Sequence, residues 1–219
     1  MKNVEPIVPP ETLKGMVYKQ VKQYIVSGHL EPKYVYSANQ FAEMLGVSRT
    51  PVREALLQLS SEGFLSPIKG RGFQIKELTI QEIKDFFETR QIIETYVVEH
   101  LVDEINKDDL EELDKCMELM KEQADSQDYN SFIEADKEFH MQLFIRYNNC
   151  FLIHTMEHLR NLISMFACKA ISKHGRVEQV LREHQAIAQA LHRKDKDGAI
   201  AAIVTHLKNT EKTLLKDAV

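Results

Sequence analysis

Four residues of metal-binding type fall on the apolar faces of predicted helices in the second half of this chain. Asp136 and His140 lie four positions apart, so both point the same way from a helix and can share one ion. His184 and His206 each sit centrally on the apolar face of a separate predicted helix. Unpaired polar groups are costly to bury, so these side chains need a partner. We predict a divalent metal, in preference to a hydrogen-bond network within the protein.

The predicted donor set combines imidazole and carboxylate groups. Such a set suits Zn, Ni, Mn or Fe, and the sequence does not choose among them. A metal-dependent enzyme is one alternative, but catalysis needs an open coordination position and a general base. Glu183 precedes His184 and therefore points about 100° away from it. No other carboxylate is obviously placed to help, so we predict that the protein is not an enzyme.

Arg90 occupies the centre of a further apolar face, with Glu94 beside it. Two interpretations stay open. Arg90 and Glu94 form a buried ion pair that holds helices together, or Arg90 receives the carboxylate of a ligand that also touches the metal.

These residues must be positioned by helices, because residues 77–219 carry helical periodicity and no strand signal. Short connections between the helices favour antiparallel neighbours, hence an all-α bundle. Six helices are predicted, at about 80–105, 108–124, 129–147, 149–172, 176–193 and 196–216.

The first 76 residues have a different pattern. Helices are predicted over about 12–27, 37–45 and 49–61, and a short turn at Gly46 makes the last two a helix-turn-helix. Arg49 and Arg53 share one face at the start of the last helix, where such motifs read bases. Ser48 and Thr50 suit helix capping or phosphate contact.

Two short apolar runs follow this helix and flank a glycine-rich basic turn, which predicts a β-hairpin. A hairpin directly after a helix-turn-helix is a wing. Lys69 and Arg71 in the turn can reach phosphates, and Gly72 permits close approach of the backbone. The fold class is therefore mainly α, with a winged helix-turn-helix in front of a helical bundle.

Charge divides the chain at the same place. The net charge of the 219 residues is −5, but residues 1–76 have a balance of +4 and residues 77–219 a balance of −9. This asymmetry predicts a basic binding domain over 1–76 joined to an acidic domain over 77–219. No apolar run reaches the length of a membrane span, and no signal peptide is evident, so we expect a cytoplasmic protein.

The N-terminal half resembles the winged helix-turn-helix of the GntR family of bacterial transcription regulators. The resemblance implies that Arg49 and Arg53 contact DNA and that Gly72 lies in the wing near the minor groove. At Asn39 the chain departs from the family, which usually has an arginine in contact with the operator backbone there. The similarity is carried by Val47-Ser48-Arg49-Thr50-Pro51-Val52-Arg53-Glu54-Ala55-Leu56, Leu59, Glu62-Gly63 and Gly70-Arg71-Gly72-Phe73.

The C-terminal half is similar to the all-helical FCD ligand-binding domain of the FadR subfamily within GntR. This resemblance implies a metal and a small carboxylate effector bound at it. Asn149 also fits the family pattern and is assigned with Arg90 to the effector site. The similarity is carried by Arg90 with Glu94, Asp136-x-x-Phe139-His140-x-x-Leu143, Glu183-His184-x-x-Ile187, Ala190-Leu191 and His206-Leu207, and it implies the metal ligands Asp136, His140, His184 and His206.

These patterns together predict a DNA-binding transcription regulator, with repression as the favoured sense. A homodimer would bind a palindromic double-stranded operator. The effector at the metal would control operator affinity. Within the same class, the alternatives are a metal-responsive regulator with the ion as the signal, and an acyl-CoA-responsive regulator without a metal.

Overall fold

The computed structural model describes residues 11–216, apart from the side chains of 161, 164–166, 168 and 169. The chain divides into two compact units, of which the first ends at Glu77 and the second begins at Leu78. Each unit is described by itself below.

The first unit has three helices and three short strands in its described part. Their bounds are α1 (Leu13–Val26), β1 (Val35–Tyr36), α2 (Ala38–Leu45), α3 (Arg49–Ser61), β2 (Leu65–Ile68) and β3 (Gly72–Ile75).

Helix ends in this unit follow from local hydrogen bonding. Ser37 and Gln40 form a reciprocal capping box at the start of α2, and Gly46 ends that helix in the left-handed conformation. Ser48 occupies the N-cap position of α3, as expected, but its side chain makes no capping hydrogen bond. Its hydroxyl is exposed instead.

The core of the first unit forms where α1, α2 and α3 meet the sheet. Phe41, Leu56, Leu59 and Phe64 are fully buried there, whereas Leu57 on the other side of α3 is 49% exposed. Burial of this one apolar side of α3 fixes its orientation and leaves the opposite side open.

The predicted wing hairpin is confirmed, since β2 and β3 pair antiparallel around the basic turn. The sheet also contains β1, which pairs with β3 and was not predicted, so the strand order is β1-β3-β2. A strand of two residues is too short to show an alternating pattern.

Gly72 is required by this third strand. Its φ is 141°, and a Cβ built there would lie 2.2 Å from the backbone oxygen of Tyr36 in β1. The absence of a side chain at Gly72 therefore allows close approach of the backbone of β1.

We expect Gly72→Ala to lower the free energy of unfolding of the first unit by about 3 kcal/mol, because the backbone of β1 must move. Gly70→Ala is the matched control in the same turn. Gly70 has a φ of 71° and nothing within 4 Å of an added Cβ, so only the backbone penalty of about 1–2 kcal/mol applies. Urea unfolding measures both, and equal losses would contradict the steric explanation.

The second unit consists of six helices in its described part, as predicted. Their bounds agree with the prediction to within one residue: α4 (Ile80–Glu104), α5 (Lys107–Asp125), α6 (Tyr129–Tyr147), α7 (Cys150–Ile171), α8 (Arg176–His192) and α9 (Lys196–Leu215).

Helix α6 supplies much of the core of this bundle. Its side chains Phe132, Phe139, Leu143 and Phe144 are fully buried. It packs on α4, α5 and α7, while α9 packs on α4 and α8. The polar residues that share the buried face of α6 consequently point into the bundle interior. Among the described residues, no helix is both long and apolar enough to cross a membrane.

Candidate metal centre

Four predicted ligands from three helices meet in the bundle interior. Asp136 and His140 come from α6, His184 from α8 and His206 from α9. One donor atom of each lies within 4.8 Å of the others. The imidazole ring centroids of His184 and His206 are 4.5 Å apart, and each is 5.0 Å or less from that of His140. The structure therefore brings together the whole predicted donor set.

Burial differs between the imidazoles and the carboxylate. His140 and His184 are fully buried, and His206 is 2% exposed. The side chain of Asp136 is 18% exposed, so the cluster is accessible to solvent on that side. The buried Phe139 ring packs edge-to-face with the His184 ring, with ring centroids 4.8 Å apart.

Hydrogen bonds at the Nδ1 atoms assign the tautomers of two of these histidines. His184 Nδ1 lies 3.0 Å from the carbonyl oxygen of Val180, which can only accept. His206 Nδ1 lies 3.0 Å from Oε2 of Glu183. Each Nδ1 therefore donates, and each Nε2 carries a lone pair directed into the cluster.

His140 has the same orientation. Its Nδ1 lies 2.7 Å from Oε2 of Glu94, although the two atoms are not aligned as a hydrogen bond. Its Nε2 lies 3.2 Å from Nε2 of His206. With its proton on Nε2, His140 donates to His206 across this distance; with its proton on Nδ1, toward Glu94, the two Nε2 lone pairs face each other and a cation between them would satisfy both.

His184 Nε2 is the atom that decides whether a metal fits. It is buried without a hydrogen-bond partner among the described residues, yet it lies 3.2 Å from Oδ1 of Asp136. An imidazole lone pair that faces a carboxylate oxygen is unfavourable in a purely protein network, because both groups are acceptors. A divalent cation would satisfy both, so the residues present fit a metal.

Protonation states also suit metal binding. Burial, followed by the nearby His206, lowers the pKa of His184 to about 3, which leaves the ring neutral at neutral pH. Burial also lowers the pKa of His206, against the opposing effect of Glu183. For Asp136, burial raises the pKa, but the neighbouring histidines, His184 first, outweigh it and lower the pKa. Neutral imidazoles with an ionised carboxylate are the forms that bind metal.

Two further carboxylates lie behind the donors. Burial would raise the pKa of Glu94, but the charge of Arg90 and then His140 outweigh it, and the pKa falls to about 2. For Glu183, burial is likewise outweighed, by the hydrogen bond from His206 and then that from Arg176, and the pKa is about 2. Both are therefore anions beside an imidazole, and Glu183 accepts a hydrogen bond from His206.

Glu183 contacts the donor set, which the sequence reasoning did not predict. From the sequence, Glu183 was considered only as a base next to His184, and the two side chains do point in different directions. Facing the other way, it contacts His206 on α9 instead. The detectable signal was a carboxylate at the edge of an apolar face, but the partner on another helix could not be identified from spacing.

The two open interpretations of Arg90 are partly resolved. Its Nε lies 2.6 Å from Oε1 of Glu94, with both side chains buried, so the ion pair exists. Arg90 also borders a small cavity beside Asp136 and His140. Within the described chain, Nε is the only atom of Arg90 with a hydrogen-bond partner, so the other guanidinium nitrogens are open to a ligand.

The cavity has a volume of about 10 Å³, which is room for one water-sized molecule. Two cationic side chains in its wall were not predicted, namely Lys137, in ionic contact with Glu134, and Arg160, whose Nη2 lies 3.3 Å from Glu138. The lining residues are Arg90, Asp136, Lys137, His140, Met156, Leu159, Arg160 and Ile163.

Asn149, predicted to bind the effector, does not line this cavity. It is exposed, and its side-chain oxygen accepts hydrogen bonds from the backbone nitrogens of Phe151 and Leu152 at 3.1 and 3.2 Å. This side chain caps the start of α7 outside the cavity, and its assignment to the effector site stays a prediction.

The predicted DNA-contacting side chains lie on the open side of α3 and on the wing turn. Four of them are cationic, and in the part of the chain that the structure describes none of these has an ion pair or hydrogen-bond partner. Gly72 is half-buried against β1, and Asn39 is exposed on α2. The exposed predicted residues are Ser48, Arg49, Thr50, Arg53, Lys69 and Arg71.

Comparison with known families accounts for both units. Residues 13–75 match the bacterial regulatory proteins of the gntR family, and residues 85–209 match the FCD domain. The chain belongs to the GntR family and carries an FCD domain. The FadR subfamily name agrees with this combination.

Similar proteins are regulators of the same kind. The transcriptional regulator YdhC of Bacillus subtilis (strain 168) is 29% identical over 88% of this chain and 86% of its own length. The gluconate operon transcriptional repressor of Bacillus licheniformis is 29% identical over 81% of this chain and 75% of its own length. The repressor RspR of Escherichia coli (strain K12) is 24% identical over 94% and 90%.

Solved structures have the same fold. E. coli McbR/YncC has a TM-score of 0.79 at 24% identity and covers 96% of this chain and 100% of its own. A putative GntR regulator from Rhodococcus sp. RHA1 has a TM-score of 0.79 at 21% identity and covers 93% and 97%. This GntR chain is thus a DNA-binding transcription regulator, and its relatives are regulators and not enzymes, in agreement with the prediction.

Proposed function

We propose that this GntR regulator is a repressor whose operator affinity is controlled at the Asp136–His206 cluster. A divalent metal and a small carboxylate effector are the ligands that the cluster and its cavity would bind. The names of two similar proteins, the gluconate operon repressor and RspR, support repression as the sense of regulation.

The observation that carries this proposal is the orphaned Nε2 of His184, which faces a carboxylate oxygen at 3.2 Å inside a buried cluster. Protein groups in the described chain do not satisfy this atom. A bound cation would supply positive charge there and a coordination position for a carboxylate. Asp136, His140, His184 and His206 would hold it.

The effector proposal is supported by Arg90. Its Nε is held by Glu94, and its remaining guanidinium nitrogens border the cavity next to Asp136 and His140. A carboxylate that reaches the metal would therefore meet a charge-assisted donor at the same time. Operator affinity would change only if the effector binds one conformation of the protein more tightly than the other.

DNA recognition is proposed for the N-terminus of α3 and the wing. Exposed arginines at the start of a recognition helix suit base edges in the major groove, and Lys69 and Arg71 suit phosphates. A homodimer is part of the proposal, because a two-fold protein would match a palindromic operator.

A second candidate is a metal-responsive regulator with the ion as the signal. The observation that favours it is the cavity volume of about 10 Å³, which admits a water but no organic acid unless the wall formed by α7 moves.

Elemental analysis of the purified full-length protein tests the metal, and we expect about one divalent ion per chain. Operator affinity is then measured against metal concentration, with and without small organic acids. A response that requires the acid supports effector control, whereas a response to metal alone supports the second candidate. Protein that binds operator normally but takes up no divalent ion would refute both.

A further inference from the structure

Within the described residues, two Arg–Glu–His relays each end on a histidine of the metal cluster: Arg90–Glu94–His140 and Arg176–Glu183–His206. We propose that Glu94 and Glu183 are positioning residues that set metal affinity, and that only the Glu94 relay couples the metal to an anion in the cavity. This inference rests on the proposed metal site. It assigns the regulation of that site to residues outside the donor set.

The two relays are built from the same three groups. In the first, Glu94 Oε1 lies 2.6 Å from Arg90 Nε, and Oε2 lies 2.7 Å from His140 Nδ1 in an ionic contact that is not aligned as a hydrogen bond. In the second, Glu183 divides its oxygens in the same manner. Its Oε1 lies 3.0 Å from Arg176 Nη1 and its Oε2 lies 3.0 Å from His206 Nδ1. Each carboxylate therefore gives one oxygen to a guanidinium and the other to an imidazole.

This construction explains how a carboxylate can remain charged beside a buried histidine. Glu94 is fully buried, and an unpaired buried carboxylate would be very unfavourable. The arginine balances its charge and holds its orientation. The carboxylate in turn fixes the imidazole with Nε2 toward the cluster and raises the basicity of that nitrogen. His184 has only the carbonyl of Val180 in this role, so the two relays mark the stronger donors.

The relays differ in what surrounds the arginine. Arg176 is buried, and its Nη2 also donates to Thr210 Oγ1 at 2.7 Å. Asn209 Nδ2 adds a donor to Glu183 at 2.7 Å. Glu183 and Asn209 border a separate pocket of about 370 Å³, but Arg176 lines neither that pocket nor the cavity beside Asp136. Arg90 instead borders the cavity, and within the described chain only its Nε has a partner.

An anion in the cavity would consequently share Arg90 with Glu94 but leave Arg176 untouched. As Arg90 is drawn toward the anion, Glu94 would interact more strongly with His140 and raise its donor strength. The anion and the metal would then favour each other's binding, and by thermodynamic linkage the effect is reciprocal.

Zinc affinity, measured by competition with a chelating dye, tests the relays in the full-length protein. We expect Glu94→Gln and Glu183→Gln each to weaken zinc binding by about 10–100-fold, because a neutral amide replaces the carboxylate. The matched control is Glu157→Gln, which makes the same change in an exposed Glu–His pair, where Glu157 lies 3.2 Å from His154. This control should bind zinc as the wild type does.

Formate, the smallest carboxylate, serves as the anion probe, and its entry requires the α7 wall of the cavity to move. Chloride at equal ionic strength is its control. We expect formate to tighten zinc binding in the wild type and in Glu183→Gln, and to have no effect in Glu94→Gln. Should Glu183→Gln fail to fold, Asn209→Ala removes one donor to the same oxygen and is expected to weaken zinc binding by a few-fold.

The outcomes separate this inference from the proposed function. A wild type that binds no zinc would remove the metal site itself. A wild type that binds zinc, with both glutamine variants unchanged, would overturn the relays alone. A formate effect that persists in Glu94→Gln would overturn the coupling.

Discussion

Alanine at Arg49 and at Arg53 is expected to abolish specific operator binding while the metal content stays intact. Both side chains are exposed at the start of α3 and have no partner within the described chain, so their loss should not disturb folding. Each bidentate contact to a base contributes about 1–3 kcal/mol of discrimination, so the double variant should bind operator no better than unrelated DNA. Fluorescence anisotropy with operator and scrambled duplexes measures the difference.

Two controls sharpen this experiment. Lys69→Ala removes a proposed phosphate contact, so it should weaken operator and scrambled DNA alike and reduce the salt dependence by about one unit. Arg182→Ala changes an exposed arginine of the helical unit and should leave both affinities unchanged. Normal operator affinity in both Arg49→Ala and Arg53→Ala would show that α3 is not the recognition helix.

Removal of the metal is expected to destabilise the helical unit selectively. A ligand that binds only the folded state, at a free concentration 100 to 1000 times its Kd, contributes about 3–4 kcal/mol to the free energy of unfolding. Chelation with EDTA should therefore lower the melting temperature of the second unit and leave that of the first unchanged. The physical reason is that, without the ion, three buried imidazoles lie close together with no cation to satisfy their lone pairs.

His184→Ala should make the protein insensitive to the chelator, since it removes a fully buried ligand. His158→Ala changes an exposed histidine, also in the helical unit, and should respond to EDTA as the wild type does. A wild type whose two units both keep their melting temperatures in EDTA would contradict a structural contribution from the metal.

Much of the fold could be predicted because its helix boundaries are set by capping residues close in sequence to each helix end. Thr79 with Glu82 forms a capping box at the start of α4, and Asp195 caps α9 through the backbone of Gly198. Capping and periodicity both act over a few residues and are visible in a sequence. β1 was missed because its two residues are defined only by pairing with β3, far along the chain.

The same distinction holds at the site. The four ligands could be predicted because each lies on the apolar face of one of three helices. Glu183 and the two cationic residues of the cavity wall were missed, since their roles depend on which neighbouring helix faces them. The capping contact of Asn149 was not predicted, because the family pattern does not distinguish a capping residue at a helix start from a residue that contacts a ligand.

Burial of the donors also has a kinetic consequence. Three imidazoles that are at most 2% exposed, next to a cavity of about 10 Å³, leave the exposed side of Asp136 as the approach for an ion among the described residues. Entry and exit would then wait for the bundle to open, so the residence time of an ion would follow the opening rate as well as its affinity. The ion that binds when the protein folds would therefore dissociate slowly. Exchange would be fast only in the presence of a ligand that opens the bundle.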